Sequence, residues 1–399
     1  MLPIQELRDE GLRMKSQLPR IKNLSTKILF KDVYSYLAHP FCTKIDGKRW
    51  ILVFNQTVRR DVILHPPEDP RYYNMVSLST DEGATWSAPV ASPDFDWHGV
   101  ECASITVLNS GRLLLNQWQF DWLPIQKARA EVNRNDLVFP SVWGGELHSN
   151  DELPTNYLIP KDPENLFPWA RGNGGTYIHI SDDGGNTWSK TINIDTGPFT
   201  GGYGMRGGVQ LPGGKIILPL SDVPQYEKVF IVTSIDEGLT WSAPLLIADV
   251  AGLKFEEPAI ITLLSGELLV LLRENTSRKM YQLRSKDSGL SWSDPEQNGI
   301  DGYPAHLLQL PNGDILCTYG HRNSPFGIRI VISHDMGSSW NASEFITVVD
   351  GLPNKNLGYP VTLIRQDGTY NTIYYSQNSD GTTSINSATF ELVAHREEE

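Results

Sequence analysis

The side chains of this chain best suited to chemistry stand where its short apolar runs begin and end. Just before those runs come His39, Glu101, Arg206, Glu257, Tyr303 and Tyr359. Just after them come Arg59, Arg60 and Asp61, then Gln117, Ser221, Arg273, and His321 with Arg322. Carboxylates beside Tyr and His can move protons. Several guanidiniums brought together bind an anion such as a carboxylate. Charges collected in a partly dry place must pair with one another or hold a ligand. Whether these residues meet depends on the elements between them.

Two repeated elements answer that. The first is "STDEGATWSAP" from Ser79, which returns as "SDDGGNTWS" from Ser181, "SIDEGLTWSAP" from Ser234, "SKDSGLSWSDP" from Ser285 and "SHDMGSSWN" from Ser333. Counted from their Asp residues, the boxes fall at Asp81, Asp183, Asp236, Asp287 and Asp335, and the later intervals are all about 50 residues, the period of a repeat architecture. The second is a hairpin of the form apolar run, turn with Gly, apolar run, found six times, with Gly47, Gly111, Gly214, Gly266, Gly313 and Gly368 in the turns. Each hairpin supplies two strands and the stretch leading to the next box a third. Units of this kind cannot bury both faces alone, so they stack radially.

The fold expected is therefore all-β, a six-bladed propeller formed as a single domain over residues 1–399. A short N-terminal helix lies within an extension over 1–33, and a Trp-rich insertion occupies about 119–176 of blade two. Ring closure is expected near "SINSATFELV", with N-terminal residues pairing beside C-terminal ones. A seventh blade inside the insertion is the architectural alternative. The box acids read as turn-builders: Asp and Ser hold a tight turn, Gly takes the left-handed position, and Trp packs back onto the blade. No single substrate could meet five equivalent acids spread round a ring. In a propeller of meanders, the start of each first strand and the end of each second strand reach one face beside the axis, which is where the residues named above would gather.

With its repeated boxes and that axial ring, the chain from about Tyr34 onward resembles the sialidase (neuraminidase) superfamily. The resemblance implies a Tyr nucleophile activated by a Glu, an Asp acid/base and Arg residues that clamp a substrate carboxylate. It puts Tyr359 of "NLGYPVTLIRQDG" at the nucleophile, Glu257 of "FEEP" as its partner with Glu256 beside it, and Asp61 of "VRRD" as the acid, with Glu68 and Asp69 in the same loop. Arg273 of "LLREN" and Arg322 of "YGHRNSPFGIR" fall at clamp positions, with Arg329 in reserve. His39, Arg59, Arg60, Glu101, Arg206 and His321 complete the expected substrate-binding set. One departure stands out: "YLAHPF" carries His39 where the family has Arg. A neutral phenol avoids the repulsion that an anionic nucleophile would meet at an anomeric carbon bearing a carboxylate, and Tyr is the known exception to the two-carboxylate scheme.

Composition narrows the rest. With Lys+Arg 34 against Asp+Glu 47, the net charge of −13 argues against a nucleic-acid backbone as partner. Cys42, Cys102 and Cys317 are widely spaced, with no CxxC, and read as buried thiols rather than a disulfide framework or zinc site. No run approaches the ~18 apolar residues of a membrane span, and the first residues do not read as a signal peptide, so a cytoplasmic setting is expected. No cofactor or metal is expected. The function expected is an exo-acting glycoside hydrolase releasing a terminal, acidic sugar from a glycan. The alternatives are a polysaccharide lyase or other glycosidase acting on a uronate- or rhamnose-containing glycan, or a non-catalytic sugar-binding propeller. Trp97, Trp118, Trp122, Trp143 and Trp169, in or beside the insertion, would supply a wall for the sugar or cap a blade edge.

Overall fold

Apolar residues separated by Gly-bearing turns fold here into antiparallel meanders. The computed structural model describes residues 18–59, 69–92, 99–139, 167–188 and 190–393, apart from the side chain of Cys102. The expected N-terminal helix over the first residues lies outside them. Six antiparallel sheets follow one another along the chain, five of four strands and one of five, giving a six-bladed all-β propeller. The inner strands are Ser35–Lys44, Val100–Val107, a broken pair Gly201–Tyr203 and Val209–Gln210, Phe255–Thr262, Ala305–Gln309 and Leu357–Ile364. Burial follows from the packing of sheet on sheet. Second strands such as Ile216–Val223 are buried at every position, because neighbouring blades cover both faces.

Closure takes the form the sequence suggests. Strand Arg20–Lys31, at the start, lies antiparallel to Thr383–Val393, at the end, as the outermost strand of blade six. In blade two the insertion continues the sheet at both of its ends. Its second and third strands, Leu113–Pro124 and Trp169–Ser181, run far past their neighbours and stay paired to their tips, Pro124 opposite Trp169. The two ends of the segment, 119–124 and 169–176, are thus strand, and a helix over Ile125–Ala130 follows the first. Trp118 is 1% exposed, and its Nε1 donates to Asn173 Oδ1 at 2.8 Å, so it is core rather than an open wall. Trp97 and Trp143 lie outside the described residues.

The five boxes share one hydrogen-bond network. In the first, Ser79 Oγ donates to Asp81 Oδ1 (2.9 Å) and accepts from the Gly83 N–H (2.8 Å). Thr85 donates to Asp81 twice, through its N–H (2.7 Å) and Oγ1 (2.6 Å). The same four bonds recur around Asp183, Asp236, Asp287 and Asp335. Each box also grips the blade before it. A Cβ on Gly238 would lie 2.7 Å from Leu114, and at a φ of +84° only Gly is unstrained there. A cation from the preceding blade donates to the carbonyl one residue before the box Gly: Arg365 to Glu82 (3.0 Å), Lys215 to Ser288 (3.0 Å), Arg284 to Met336 (2.7 Å). The boxes are joints between blades.

Candidate active site

Three inner strands are interrupted at equivalent places. Register slips between Ala38 and Phe41, between Glu256 and Ala259, and between Gly358 and Val361. The residue before proline at each slip takes a left-handed backbone: His39 at φ 51°, Glu257 at φ 53° and Tyr359 at φ 50°. Non-Gly residues hold that region only when the surroundings enforce it, at roughly 1–3 kcal/mol each. A bulge of this type re-aims a side chain out of the alternating pattern. Blade two slips between Glu101 and Ser104. In blade three the inner strand is broken outright, and Arg206 sits in the gap. Tyr303, despite sharing Gly-Tyr-Pro with Tyr359, precedes its strand and is not among the left-handed residues.

The centre is a Tyr–Glu–Arg cluster. Tyr359 Oη donates a short hydrogen bond to Glu257 Oε1. Tyr359 is 6% exposed and Glu257 2%. Glu257 is held at its backbone, where its N–H donates to Ser221 Oγ at 2.9 Å, while Oε2 has no hydrogen-bond partner among the described residues. Arg273 Nη1 lies 3.2 Å from the Glu257 carboxylate, and its Nε is 3.2 Å from Glu256 Oε1. Glu256 is turned aside, accepting from Tyr203 Oη (2.5 Å) and Asn275 Nδ2 (2.5 Å). Burial raises the Tyr359 phenol well above its ordinary pKa, and the Glu257 charge adds to that, so the resting pair keeps its proton on Tyr359. Burial also raises the Glu256 carboxyl, against the pull of Arg273. For Arg273 burial works downward, but the two carboxylates outweigh it and its guanidinium stays charged.

Around this cluster lie the other axial residues. The His39 ring centroid is 4.3 Å from that of Tyr359, and Glu101 Oε1 is 3.5 Å from His39 Nδ1. Arg322 donates through Nε to the Leu357 carbonyl (3.1 Å), with Cζ 5.3 Å from the Tyr303 ring and 5.6 Å from the Tyr359 ring. Arg273 lies 4.2 Å from the Tyr303 ring. Arg206 lies 5.7 Å from the Tyr359 ring and also lines an axial cavity of about 320 Å³. None of its three guanidinium nitrogens has a hydrogen-bond partner among the described residues, and burial lowers its pKa to about 10.

Not every expected residue joins them. Arg59 donates to the Asp380 carbonyl (3.1 Å) at an exposed position on blade six, because its strand ends at Val58 and the side chain turns outward. His321 is engaged by the Asp301 carbonyl (3.2 Å), bracing a loop of its own blade. Arg329 lies against Phe345, 4.1 Å from its ring, on the outer side of blade five. Arg60, Asp61 and Glu68 lie outside the described residues. Asp69 is buried and accepts from the Arg71 N–H (2.9 Å). Sequence reasoning missed Arg171, whose Cζ is 5.1 Å from the Trp118 ring, and the buried amides Asn55 and Asn74. Their signal was a polar residue inside an apolar strand, in "LVFNQ" and "YNMVS".

Comparison with known proteins agrees with this architecture. A signature described as a BNR repeat-like domain matches residues 164–372, just over half of the chain. A solved protein of unknown function from Dyadobacter fermentans superposes with a TM-score of 0.73 at 20% identity, covering 94% of this chain and 100% of that one. A mutant of the NanB sialidase from Streptococcus pneumoniae gives a TM-score of 0.64 at 14% identity, over 98% of this chain and 72% of that one. At such identities the likeness is one of fold. In sequence, the vacuolar protein sorting/targeting protein 10 of Chaetomium globosum is 25% identical over 298 residues, 68% of this chain but 18% of that protein, so the chain spans under a fifth of that relative's length. The fold is one that glycosidases use, and the chain belongs to the BNR repeat-like family as a sialidase-like six-bladed propeller.

Proposed function

We propose that the protein is an exo-acting glycoside hydrolase that removes a terminal sugar from a glycan, with Tyr359 as nucleophile and Glu257 as the base that takes its proton. The observation that carries this reading is the buried hydrogen bond from Tyr359 to Glu257, with Arg273 beside the carboxylate. As Tyr359 Oη attacks the anomeric carbon, its proton passes to Glu257 Oε1 and the bond to the leaving oxygen breaks. An acid protonates that oxygen; Asp61 is the candidate. Water then displaces the tyrosine oxygen, giving a proton back to that acid while Glu257 returns its own to Tyr359, and the two displacements leave the sugar with its original configuration. Arg273 and Arg322 favour a substrate that bears an anionic group.

The test is a panel of aryl glycosides of sialic acid, related nonulosonates, uronic acids and rhamnose, run with wild type and Tyr359→Phe. One glycoside should be released by wild type, with kcat at least about a thousandfold lower in the variant. Undiminished release by Tyr359→Phe would remove the nucleophile. An ultraviolet-absorbing unsaturated product would make the protein a lyase, and no turnover by wild type would leave a binding propeller.

A further inference from the structure

His39 stands in the proposed site, tied into the fold through one ring nitrogen only. Nδ1 lies 3.2 Å from Asn55 Oδ1 and 3.5 Å from Glu101 Oε1. Both of those atoms are acceptors, so Nδ1 carries the hydrogen. A row of buried side chains fixes which way Asn55 points. Asn55 Nδ2 donates to Asn74 Oδ1 (2.6 Å), and Asn74 Nδ2 donates to Gln117 Oε1 (2.6 Å). Gln117 Nε2 meets His179 Nε2 (2.8 Å), whose Nδ1 is 3.1 Å from Thr191 Oγ1. An amide that donates through its nitrogen presents its oxygen the other way, so every link runs in one direction, from His39 toward blade two. Asn55, Asn74 and Gln117 are each 1% exposed, so no single amide can reverse without facing like against like, and the acceptor Glu101 beside His39 Nδ1 sets the sense of the whole row.

The free nitrogen, Nε2, has no hydrogen-bond partner among the described residues. The charged and titratable groups that face the ring are Glu101, Arg206, Arg273, Arg322, Tyr359 and Tyr375. Burial first, then the positive field of Arg322, Arg206 and Arg273, holds the imidazole pKa near about 3, against the Asn55 contact. The ring is therefore neutral, with a bare lone pair at Nε2. A lone pair repels a carboxylate oxygen and requires a donor.

We infer that His39 Nε2 accepts a hydrogen bond from a hydroxyl of the bound sugar, so that the substrate presents a hydroxyl to blade one and any carboxylate to the Arg273–Arg322 side. The inference rests on the site proposed above but reads a different property of it. Asn55 acts through His39 as a positioning residue, because it chooses the tautomer.

The test uses the full chain labelled with ¹⁵N at histidine, with His39→Gln to assign the ring signals. Methyl glycosides of N-acetylneuraminic acid, glucuronic acid, rhamnose and galactose are the probes. Without sugar, Nε2 should show the shift of an unprotonated nitrogen, unchanged from pH 8 to pH 5. A protonated Nε2, or titration in that window, overturns the inference. At least one probe should move the Nε2 signal, and a single-deoxy form of that probe should not; a silent Nε2 across the panel also overturns it. For the responding probe, Kd should rise less than about tenfold in His39→Gln, which keeps an acceptor, and about a hundredfold in His39→Leu. Tighter binding of a carboxylated probe by His39→Arg than by His39→Gln would be expected if this subsite were built for an anion, and would count against a hydroxyl reader. An Nε2 response without turnover removes the hydrolase and keeps the hydroxyl contact. Turnover without a response does the reverse.

Discussion

The box face and the axial face of this propeller both carry acids, and they treat them in opposite ways. Each box acid spends its carboxylate on its own turn. Hydrogen bonds from Thr187, with Ser181, hold Asp183 near a pKa of about 2, and those from Ser291 and Ser285 do the same for Asp287. On the axial face burial raises the Glu256 carboxyl, and an oxygen of Glu257 and the whole guanidinium of Arg206 have no hydrogen-bond partner among the described residues. Five copies of one network at one face, and an unrepeated set of His, Glu, Arg and Tyr at the other, separate carpentry from chemistry. Repetition marks groups satisfied locally, whereas a site needs groups left over for something else.

Neutralising one acid on each face puts that contrast to the sharpest test. Glu257→Gln should lower kcat on a responding glycoside by about 10³-fold, with Tm within a few degrees of wild type, because the amide fits the same space but is a far weaker proton acceptor. A kcat within tenfold of wild type would place the base elsewhere. Acid melting gives an intermediate effect. His39, His179 and His306 are each held near a pKa of about 3, chiefly by burial, and so stay neutral where the unfolded chain would take up protons. Their depressed values mean stability that is full above about pH 6.5 and is lost as pH falls from there toward 3. The box acids add their own loss only below about pH 4, down to 2. Tm should therefore fall in two stages, and His179→Gln should make the first shallower. A single transition beginning below pH 4 would contradict the buried neutral imidazoles. The smallest change is expected from Asp183→Asn, which keeps the turn's shape and weakens its bonds: a drop in Tm of a few degrees at roughly 1 kcal/mol of lost capping, with kcat unchanged. A loss of activity comparable with that of Glu257→Gln would overturn the division between the faces.

Much of this was legible in the sequence because the repeat is a ruler. The boxes and hairpin glycines located all six blades, and counting to the strand ends brought His39, Glu257, Arg273, Arg322 and Tyr359 toward one axis. Where counting failed, backbone geometry intervened. Arg59 is one residue past its strand, and a side chain there turns to whatever lies outside, here the Asp380 carbonyl. Gly302-Tyr303-Pro304 and Gly358-Tyr359-Pro360 look alike as letters, yet only Tyr359 takes the left-handed bulge. Nothing in the letters separates them, because the bulge is set by the register of the neighbouring strand. In the blade-two insertion, Trp, Pro and Asn residues hide the continued pairing of Phe120–Pro124 with Trp169–Asn173. The amide row was visible only as polar letters in apolar runs. Its direction depends on partners from three strands, Asn55, Asn74 and Gln117, which no single stretch contains.

The closure of blade six carries a consequence for how the molecule comes into being. Arg20–Lys31 leaves the ribosome before any blade and has its partner, Thr383–Val393, only when the third strand of blade six has been made. Blades one to five can form in order as they emerge, blades two to five each sealed to the one before by its box, while the first strand waits as an unpaired edge. The sheet that the strand completes is also the one that carries Tyr359. The closing strand and Tyr359 stand at opposite edges of that sheet, so the strand that shuts the ring is the one farthest from the axis.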